Sequence, residues 1–123
     1  VLRWHVDGSG NASTVSDARL KENVSQLSGA LDKVSKLRGV DYHYKRNAEE
    51  QTKITAGKMK VSKTKSLGFI AQELEQIVPE AVTTDETTGY KSVAYDMIIP
   101  LLVEAIKEQQ KEIKELRSLI EKK

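Results

Sequence analysis

The chain has 123 residues, of which 38% are hydrophobic and 31% are charged, and its formal net charge is +2. This balance gives no general signature for polyanion binding, and the lack of cysteine excludes disulfides, thiolate metal sites and cysteine nucleophiles. No apolar run approaches the roughly 18 residues that span a bilayer, and the first residues do not resemble a signal peptide. With one Trp and one Phe, the expected core is thin, which favours burial of more surface between copies of the chain.

Residues 1–15 have the pattern of a short strand followed by a turn. Leu2, Trp4 and Val6 alternate with other residues, as in a half-buried strand, and the sequence DGSGN that follows is rich in turn formers. Fifteen residues of this kind cannot fold alone, and the sequence begins without Met. We therefore expect them to be the end of a preceding β-rich domain in a longer protein.

A helical stripe is predicted from Ser16 to Leu37. Apolar residues recur there at intervals of three or four positions, at Leu20, Val24, Leu27, Leu31, Val34 and Leu37. Gly29 interrupts the stripe, so Ser28 is a candidate N-cap for a second helical piece, and Gly39 is a candidate left-handed C-cap.

Ser16 and Lys21 stand five positions apart at the start of this stripe. From spacing alone the serine is read as a helix N-cap, because capping serines are far commoner than serine–lysine nucleophiles. Side chains five positions apart do not meet on a regular helix. A Ser–Lys pair therefore requires that Ser16 precede the helix, with the chain turning back, or that the partner come from another subunit.

The middle of the chain is predicted to alternate strands with one short helix. The sequence VDYHYKR at 40–46 reads as a half-buried strand, and SLGFIAQELEQIVPE as a strand end leading into a helix that Pro79 terminates. Two alternating runs joined near Gly89 predict a hairpin. Between the first two elements, residues 45–66 are polar and basic, and this excursion is either a functional protrusion or disordered.

The last segment, 96–123, has the pattern of a coiled coil. Asp96 is a candidate cap for its helix, and Pro100 falls in the first turn, where few backbone donors are needed. A heptad seam with spacings of three and four follows, formed by Ile99, Leu102, Ile106, Gln109, Ile113, Leu116 and Ile120. The heptads alone indicate self-association without fixing the strand number, and a plain zipper is the simplest alternative.

Three stretches together resemble a known family: SDARLKENV at 16–24, LGFIAQELEQIVPEAV at 67–82 and VAYDMIIPLLVEAIKEQQKEI at 93–113. They are similar to the C-terminal intramolecular chaperone domain of phage endosialidases, tail fibres and neck appendages, the peptidase S74 family. The resemblance implies an α+β domain with small sheets, helices and a parallel coiled coil, intertwined as a homotrimer. It also implies that this trimer guides an upstream β-helical fibre to fold and then releases itself by autoproteolysis.

The resemblance assigns roles to particular residues. Ser16 and Lys21 match the family's catalytic serine and lysine, and the bond that is cut adjoins Ser16. If the mechanism is an acyl shift, that bond is Val15–Ser16, although the residues alone leave the choice open. Residues 1–15 then belong to the client fibre, residues 16–123 to the chaperone, and the basic excursion at 45–66 to an arm that embraces the client.

Supporting residues follow from the chemistry that a lysine base needs. Its ammonium must be disfavoured by desolvation or by a neighbouring cation, for which Arg19 is a candidate, whereas Asp17 acts in the opposite direction. Asn23 is a candidate oxyanion donor by proximity in sequence. His43 is a lesser candidate base, more simply read as a surface or interface histidine.

Neither a metal site nor a cofactor is expected from the scattered carboxylates and two histidines. The expected partners are copies of the chain and its own upstream fibre, with no nucleic acid and no membrane. We expect the chain to act in the host cytoplasm during phage assembly, where the chaperone is released, with the mature client in the virion tail or an appendage. The alternatives are a non-cleaving trimerisation module of a fibre and a nucleic-acid-binding coil that uses the lysine-rich excursion.

Overall fold

The computed structural model of the chain describes residues 4–45 and 64–122, and the side chain of Trp4 is not among the described groups. Most of the predicted arm at 45–66 therefore lies outside the described residues. The elements, in chain order, are β1 (Trp4–Val6), β2 (Ala12–Thr14), α1 (Ala30–Lys36), β3 (Val40–Tyr42), β4 (Ser66–Gly68), α2 (Ala71–Glu75), β5 (Val82–Thr84), β6 (Lys91–Val93) and α3 (Ile98–Glu121). This mixture of helices and small antiparallel sheets confirms the α+β class. Within the described ranges, no helix combines the length and apolarity needed to cross a membrane.

The strands form antiparallel pairs, β1 with β2, β3 with β4 and β5 with β6. The first pair closes through the predicted DGSGN turn, where Asp7 Oδ1 accepts hydrogen bonds from the backbone N–H groups of Ser9 and Asn11, both at 2.9 Å. The third pair closes through the predicted turn that contains Gly89, whose φ of 76° is in the left-handed region. Local turn chemistry thus fixes these two hairpins.

The prediction of a helix between residues 16 and 37 is wrong for residues 16–29. Only α1, Ala30–Lys36, is α-helical, and a single 3₁₀ turn forms earlier, at Ala18–Leu20. Asn23 and Gly29 both have left-handed backbones, with φ of 55° and 66°, which interrupts any continuous helix. The N-cap position of α1 is Gly29 rather than Ser28, and the helix ends in extended backbone at Leu37 without a left-handed cap at Gly39.

The hydrophobic core lies where α1 and α2 pack against the first turns of α3. Its buried residues are Ala30, Leu74, Val78, Ala81, Ile98, Leu101 and Ala105. Leu74 comes from α2 and is the largest side chain that is fully buried among the described residues. The helix ends at Glu75 and not, as the sequence predicts, at Pro79, which instead begins a separate 3₁₀ turn at Pro79–Ala81. A core of this size agrees with the thin core expected from composition.

Helix α3 begins as the sequence predicts, apart from its cap. Pro100 lies in the first turn, but the N-cap residue is Met97, and no side chain caps the helix. Asp96, the predicted cap, lies instead in a 3₁₀ turn at Tyr95–Met97 that leads directly into α3. Because this turn continues into the helix, the first donors of α3 do not require a capping carboxylate.

Candidate Ser–Lys site

The predicted pair is in contact in the folded chain. The ammonium nitrogen of Lys21 lies 2.6 Å from the hydroxyl oxygen of Ser16 and donates a hydrogen bond to it. Both residues are exposed, and Ser16 lies between the end of β2 and the 3₁₀ turn at Ala18–Leu20. Of the two geometries that the spacing allows, the structure has the first, in which the serine precedes a turn that brings the lysine back.

Asp17 forms the turn that joins the two residues. Its side-chain oxygen Oδ1 accepts a hydrogen bond from the backbone N–H of Arg19 at 2.9 Å, which is the bond of an N-cap. Its carbonyl oxygen accepts from the N–H of Leu20 at 3.0 Å, and the carbonyl of Ala18 accepts from the N–H of Lys21 at 3.2 Å. Lys21 then returns to extended backbone, with φ of −114° and ψ of 146°.

Arg19 is bound to Asp17 rather than directed at Lys21. The guanidinium donates from Nε to Oδ1 at 3.1 Å and from Nη2 to Oδ2 at 2.9 Å, a two-point contact with the carboxylate. The hydrogen bonds from the Arg19 side chain and backbone lower the pKa of Asp17, and the same carboxylate raises the pKa of Arg19. The candidate cation and the opposing anion therefore compensate each other beside the pair.

Of the other predicted site residues, Val15 and Asn23 are close to the pair in sequence, whereas His43 is not. Val15 precedes Ser16 and is half exposed, while Asn23 is exposed two positions after Lys21 with its left-handed backbone. His43 is exposed just beyond β3 and makes no hydrogen bond to the pair within residues 4–45 and 64–122. In the same ranges no group of three or more His, Asp or Glu side chains is placed to hold a metal ion.

The predicted heptad seam forms an exposed apolar stripe along α3. The buried face of this helix consists of Ile98, Leu101 and Ala105, which pack into the core of the same chain. The seam occupies a different face, where Ile106 is 63% exposed and Ile120 is 72% exposed. All its positions are exposed in the single chain, namely Ile99, Leu102, Ile106, Gln109, Ile113, Leu116 and Ile120.

Tyr95 connects two of the three stretches that carry the family resemblance, a link that sequence reasoning missed. Its ring stacks on Phe69 with centroids 5.8 Å apart, and its hydroxyl accepts a hydrogen bond from the backbone N–H of Phe69 at 3.0 Å. The same hydroxyl occupies the space that a Cβ at Gly68 would need. The only signal in the sequence is the pairing of an LGF segment with a later VAYD segment.

Comparison with known families gives a match over the part of the chain that contains the Ser–Lys contact. A profile of the family described as chaperone of endosialidase, peptidase S74, matches residues 16–83, which is more than half of the chain. The matched segment contains both residues of the Ser–Lys contact and the core helix α2. The class of protein is thus a chaperone domain. The chain belongs to the chaperone-of-endosialidase family.

Individual relatives are named as phage fibre proteins. The long tail fiber protein Gp37 of Enterobacteria phage Ox2 is 35% identical over 130 residues, which cover 96% of this chain and 48% of that protein. The Gp37 of phage M1 is 33% identical with the same coverage. The Gp37 of phage K3 is 38% identical over 106 residues, covering 84% of this chain and 8% of that protein. The chain therefore spans about half the length of the first two relatives.

Proposed function

We propose that the chain is a self-releasing intramolecular chaperone for an upstream phage fibre. The observation that carries this proposal is the 2.6 Å contact between Lys21 Nζ and Ser16 Oγ in a chain of the chaperone-of-endosialidase family. The chaperone holds copies of the fibre chain together while they fold. It then cuts the chain once, beside Ser16, and leaves the finished fibre.

The proposed cleavage begins with proton transfer to Lys21. In its neutral form, the amine removes the proton of the Ser16 hydroxyl, and Oγ attacks the carbonyl carbon of Val15. The Val15–Ser16 C–N bond breaks as the nitrogen takes up a proton, which leaves an ester at Oγ and a free amino group on Ser16. Water then hydrolyses the ester to a Val15 carboxylate and restores the hydroxyl.

The Ser16 hydroxyl and the Lys21 amine are exposed in the single chain, and this exposure bears on when cleavage can occur. A solvated lysine is strongly favoured in its charged form, which cannot act as a base. Desolvation by neighbouring chains or by the folded client would favour the neutral amine. We therefore propose that cleavage follows assembly, so that the chaperone is not lost before its work is complete.

Assembly is proposed to use the exposed seam of α3. An unpaired apolar stripe of this length is a typical interaction surface, and Ile and Leu at alternating seam positions pack as knobs into holes. A parallel coil places the upstream segments of all copies side by side, which raises their local concentration. The trimeric state rests on the resemblance to the family, since the heptads themselves do not fix the number.

The proposed client is a fibre like those of the named relatives. The matched proteins are long tail fiber proteins of phages, and the family is described as chaperones. Residues 1–15, with the hairpin of β1 and β2, are proposed to be the end of that client, and residues 16–123 its chaperone. Folding and cleavage then take place in the host cytoplasm, and the mature fibre is part of the virion tail.

The test is expression of the complete gene product that carries this sequence, followed by intact-mass analysis. Cleavage before Ser16 yields a fragment whose first residue is Ser16, and residues 16–123 contribute about 12 kDa to its mass, against 13.7 kDa for all 123 residues. We expect Ser16→Ala and Lys21→Ala each to abolish this fragment. Ser13→Ala, an exposed serine on β2, and Lys33→Ala, an exposed lysine on α1, serve as matched controls that are still cut.

Each result decides between the candidate functions. A fragment whose mass corresponds to Asp17 as its first residue would show that the bond cut is Ser16–Asp17, which would contradict the acyl shift. A chain that assembles and is never cut would be the non-cleaving trimerisation module instead. Normal cutting after removal of either side chain would end the Ser–Lys mechanism.

A further inference from the structure

The residue between the two members of the Ser–Lys contact performs a structural task of its own. Asp17 caps the 3₁₀ turn through the bond from the Arg19 N–H, and that turn carries Lys21 back to within 2.6 Å of Ser16. Without this turn, side chains five positions apart would not face each other. The side chain of Asp17 thus sets the geometry of the contact without touching either reacting atom.

The same carboxylate creates an electrostatic conflict. A negative charge adjacent to a lysine favours the ammonium form, whereas the proposed reaction needs the neutral amine. Arg19 compensates this negative charge, because its guanidinium donates hydrogen bonds to both carboxylate oxygens of Asp17, at 3.1 and 2.9 Å. Because Arg19 is bound in this way, the turn keeps its cap while its net charge is close to zero.

We propose that Asp17 and Arg19 are a positioning pair for the Ser–Lys site, in which Asp17 shapes the turn and Arg19 compensates the charge of Asp17. This inference rests on the proposed function and assigns neither residue to the reacting groups. The charged neighbours of Lys21 along the chain are Asp17, Arg19 and Glu22. Among the described residues, Glu22 forms no ion pair, and the side-chain hydrogen bond of Lys21 is the one to Ser16.

The test separates shape from charge by measuring the cleavage rate against pH. The complete gene product is assembled at pH 5, and cleavage is started by a jump to values between pH 6 and pH 10. Arg19→Gln keeps the cap but exposes the charge of Asp17. We expect its half-maximal pH to rise by about half a unit, the size of one solvent-screened charge within a turn.

The Asp17 variants test the two roles of the carboxylate. Asp17→Asn keeps an oxygen acceptor for the cap but removes the charge, so the plateau rate stays near that of the wild type and the half-maximal pH falls. Asp17→Ala removes the cap as well, and its plateau rate falls about fivefold, as for a lost N-cap bond. The double variant Asp17→Asn/Arg19→Gln returns the half-maximal pH to the wild-type value.

Asp85→Ala is the matched control, because Asp85 Oδ1 caps the β5–β6 turn through the N–H groups of Thr87 and Thr88 at 2.9 and 2.8 Å. We expect its pH profile to match that of the wild type. Unchanged half-maximal pH values in Arg19→Gln and Asp17→Asn, with equal plateau rates for the two Asp17 variants, would overturn this inference alone. Continued cleavage of Lys21→Ala would overturn the proposed function and this inference together.

Discussion

The carboxylate of Glu108 on α3 accepts a hydrogen bond from the backbone N–H of Leu31 at 2.9 Å. Its other oxygen accepts from the N–H of Ala30 at 3.2 Å, so one side chain caps the start of α1 from across the core. Gly29, at the N-cap position, has no side chain that could do so. Helix α3 therefore fixes the point at which the irregular segment after Lys21 joins the core.

Removing this cap tests how strongly α3 holds α1. We expect Glu108→Ala to lower the free energy of unfolding by about 1 kcal/mol, because two N–H groups of a helix start lose their partner. Glu115→Ala is the matched control, since Glu115 has the same heptad position one repeat later and is exposed. Urea unfolding at one fixed chain concentration measures both variants. Equal midpoints for the two would show that the cap contributes nothing.

Gly68 is predicted to tolerate no larger residue. A Cβ there would collide with the hydroxyl of Tyr95, so we expect Gly68→Ala to destabilise the chain by about 1–3 kcal/mol. Gly39→Ala is the control, because a Cβ at Gly39 would meet nothing within 4 Å and the backbone there is not left-handed. The double variant Gly68→Ala/Tyr95→Phe lacks the hydroxyl. Its loss of unfolding free energy should therefore be smaller than the sum of the losses in the two single variants. Additive effects in urea unfolding would contradict the collision.

The exposed seam of α3 is expected to drive assembly. Ile113 is a seam residue that is 40% exposed in the single chain, and Ile113→Asp should abolish self-association because a charge would be buried between helices. Lys114→Asp, on the neighbouring non-seam position, should leave it intact. Sedimentation equilibrium distinguishes the 13.7 kDa monomer from an assembly of three times that mass. A monomeric wild-type chain at micromolar concentration would contradict the role of the seam.

The sequence predicts those parts of the fold that depend on neighbouring residues. The hairpin turns at Asp7 and Gly89 follow from turn chemistry within a few positions. The apolar spacing around Leu74 also predicts the helix α2, although that helix ends at Glu75 and Pro79 begins a separate 3₁₀ turn. The Ser–Lys contact also depends on a short stretch, and its need for a turn could be stated from spacing alone. The role of Asp17 as the cap of that turn could also have been predicted from the sequence, since Asp is a strongly preferred N-cap residue.

The segment after Lys21 could not be predicted in this way. Leu20, Val24 and Leu27 have helical spacing, yet Val24 is 78% exposed in a stretch without regular structure. What decides its path is distant in sequence: the cap from Glu108, and a hydrogen bond between the side chains of Gln26 and Glu104. Interactions that span more than 70 residues override local periodicity, and the sequence carries no local sign of them.

The β5–β6 turn is expected to give the fold part of its sensitivity to acid. Asp85 accepts hydrogen bonds from the backbone N–H groups of Thr88 and Thr87, with a further bond from the Thr88 hydroxyl, and these bonds lower its pKa below 3.8. A group whose folded-state pKa is lowered contributes stability above its unfolded value. That contribution is lost as the pH falls through the lowered pKa, so it is full at pH 6 and absent well below pH 3.8.

Asp85→Asn should therefore flatten the fall of the urea midpoint between pH 6 and pH 2.5, because the amide cannot be protonated in this range. Glu86→Gln is the matched control, since Glu86 is the adjacent exposed carboxylate and has no hydrogen bond among the described residues. Its acid profile should follow that of the wild type. The Asp85→Asn profile should also meet the wild-type profile most closely at the acid end, where the wild-type carboxylate is protonated to the greatest extent. A constant offset between the two profiles at every pH would show that the turn depends on the shape of the side chain and not on its charge.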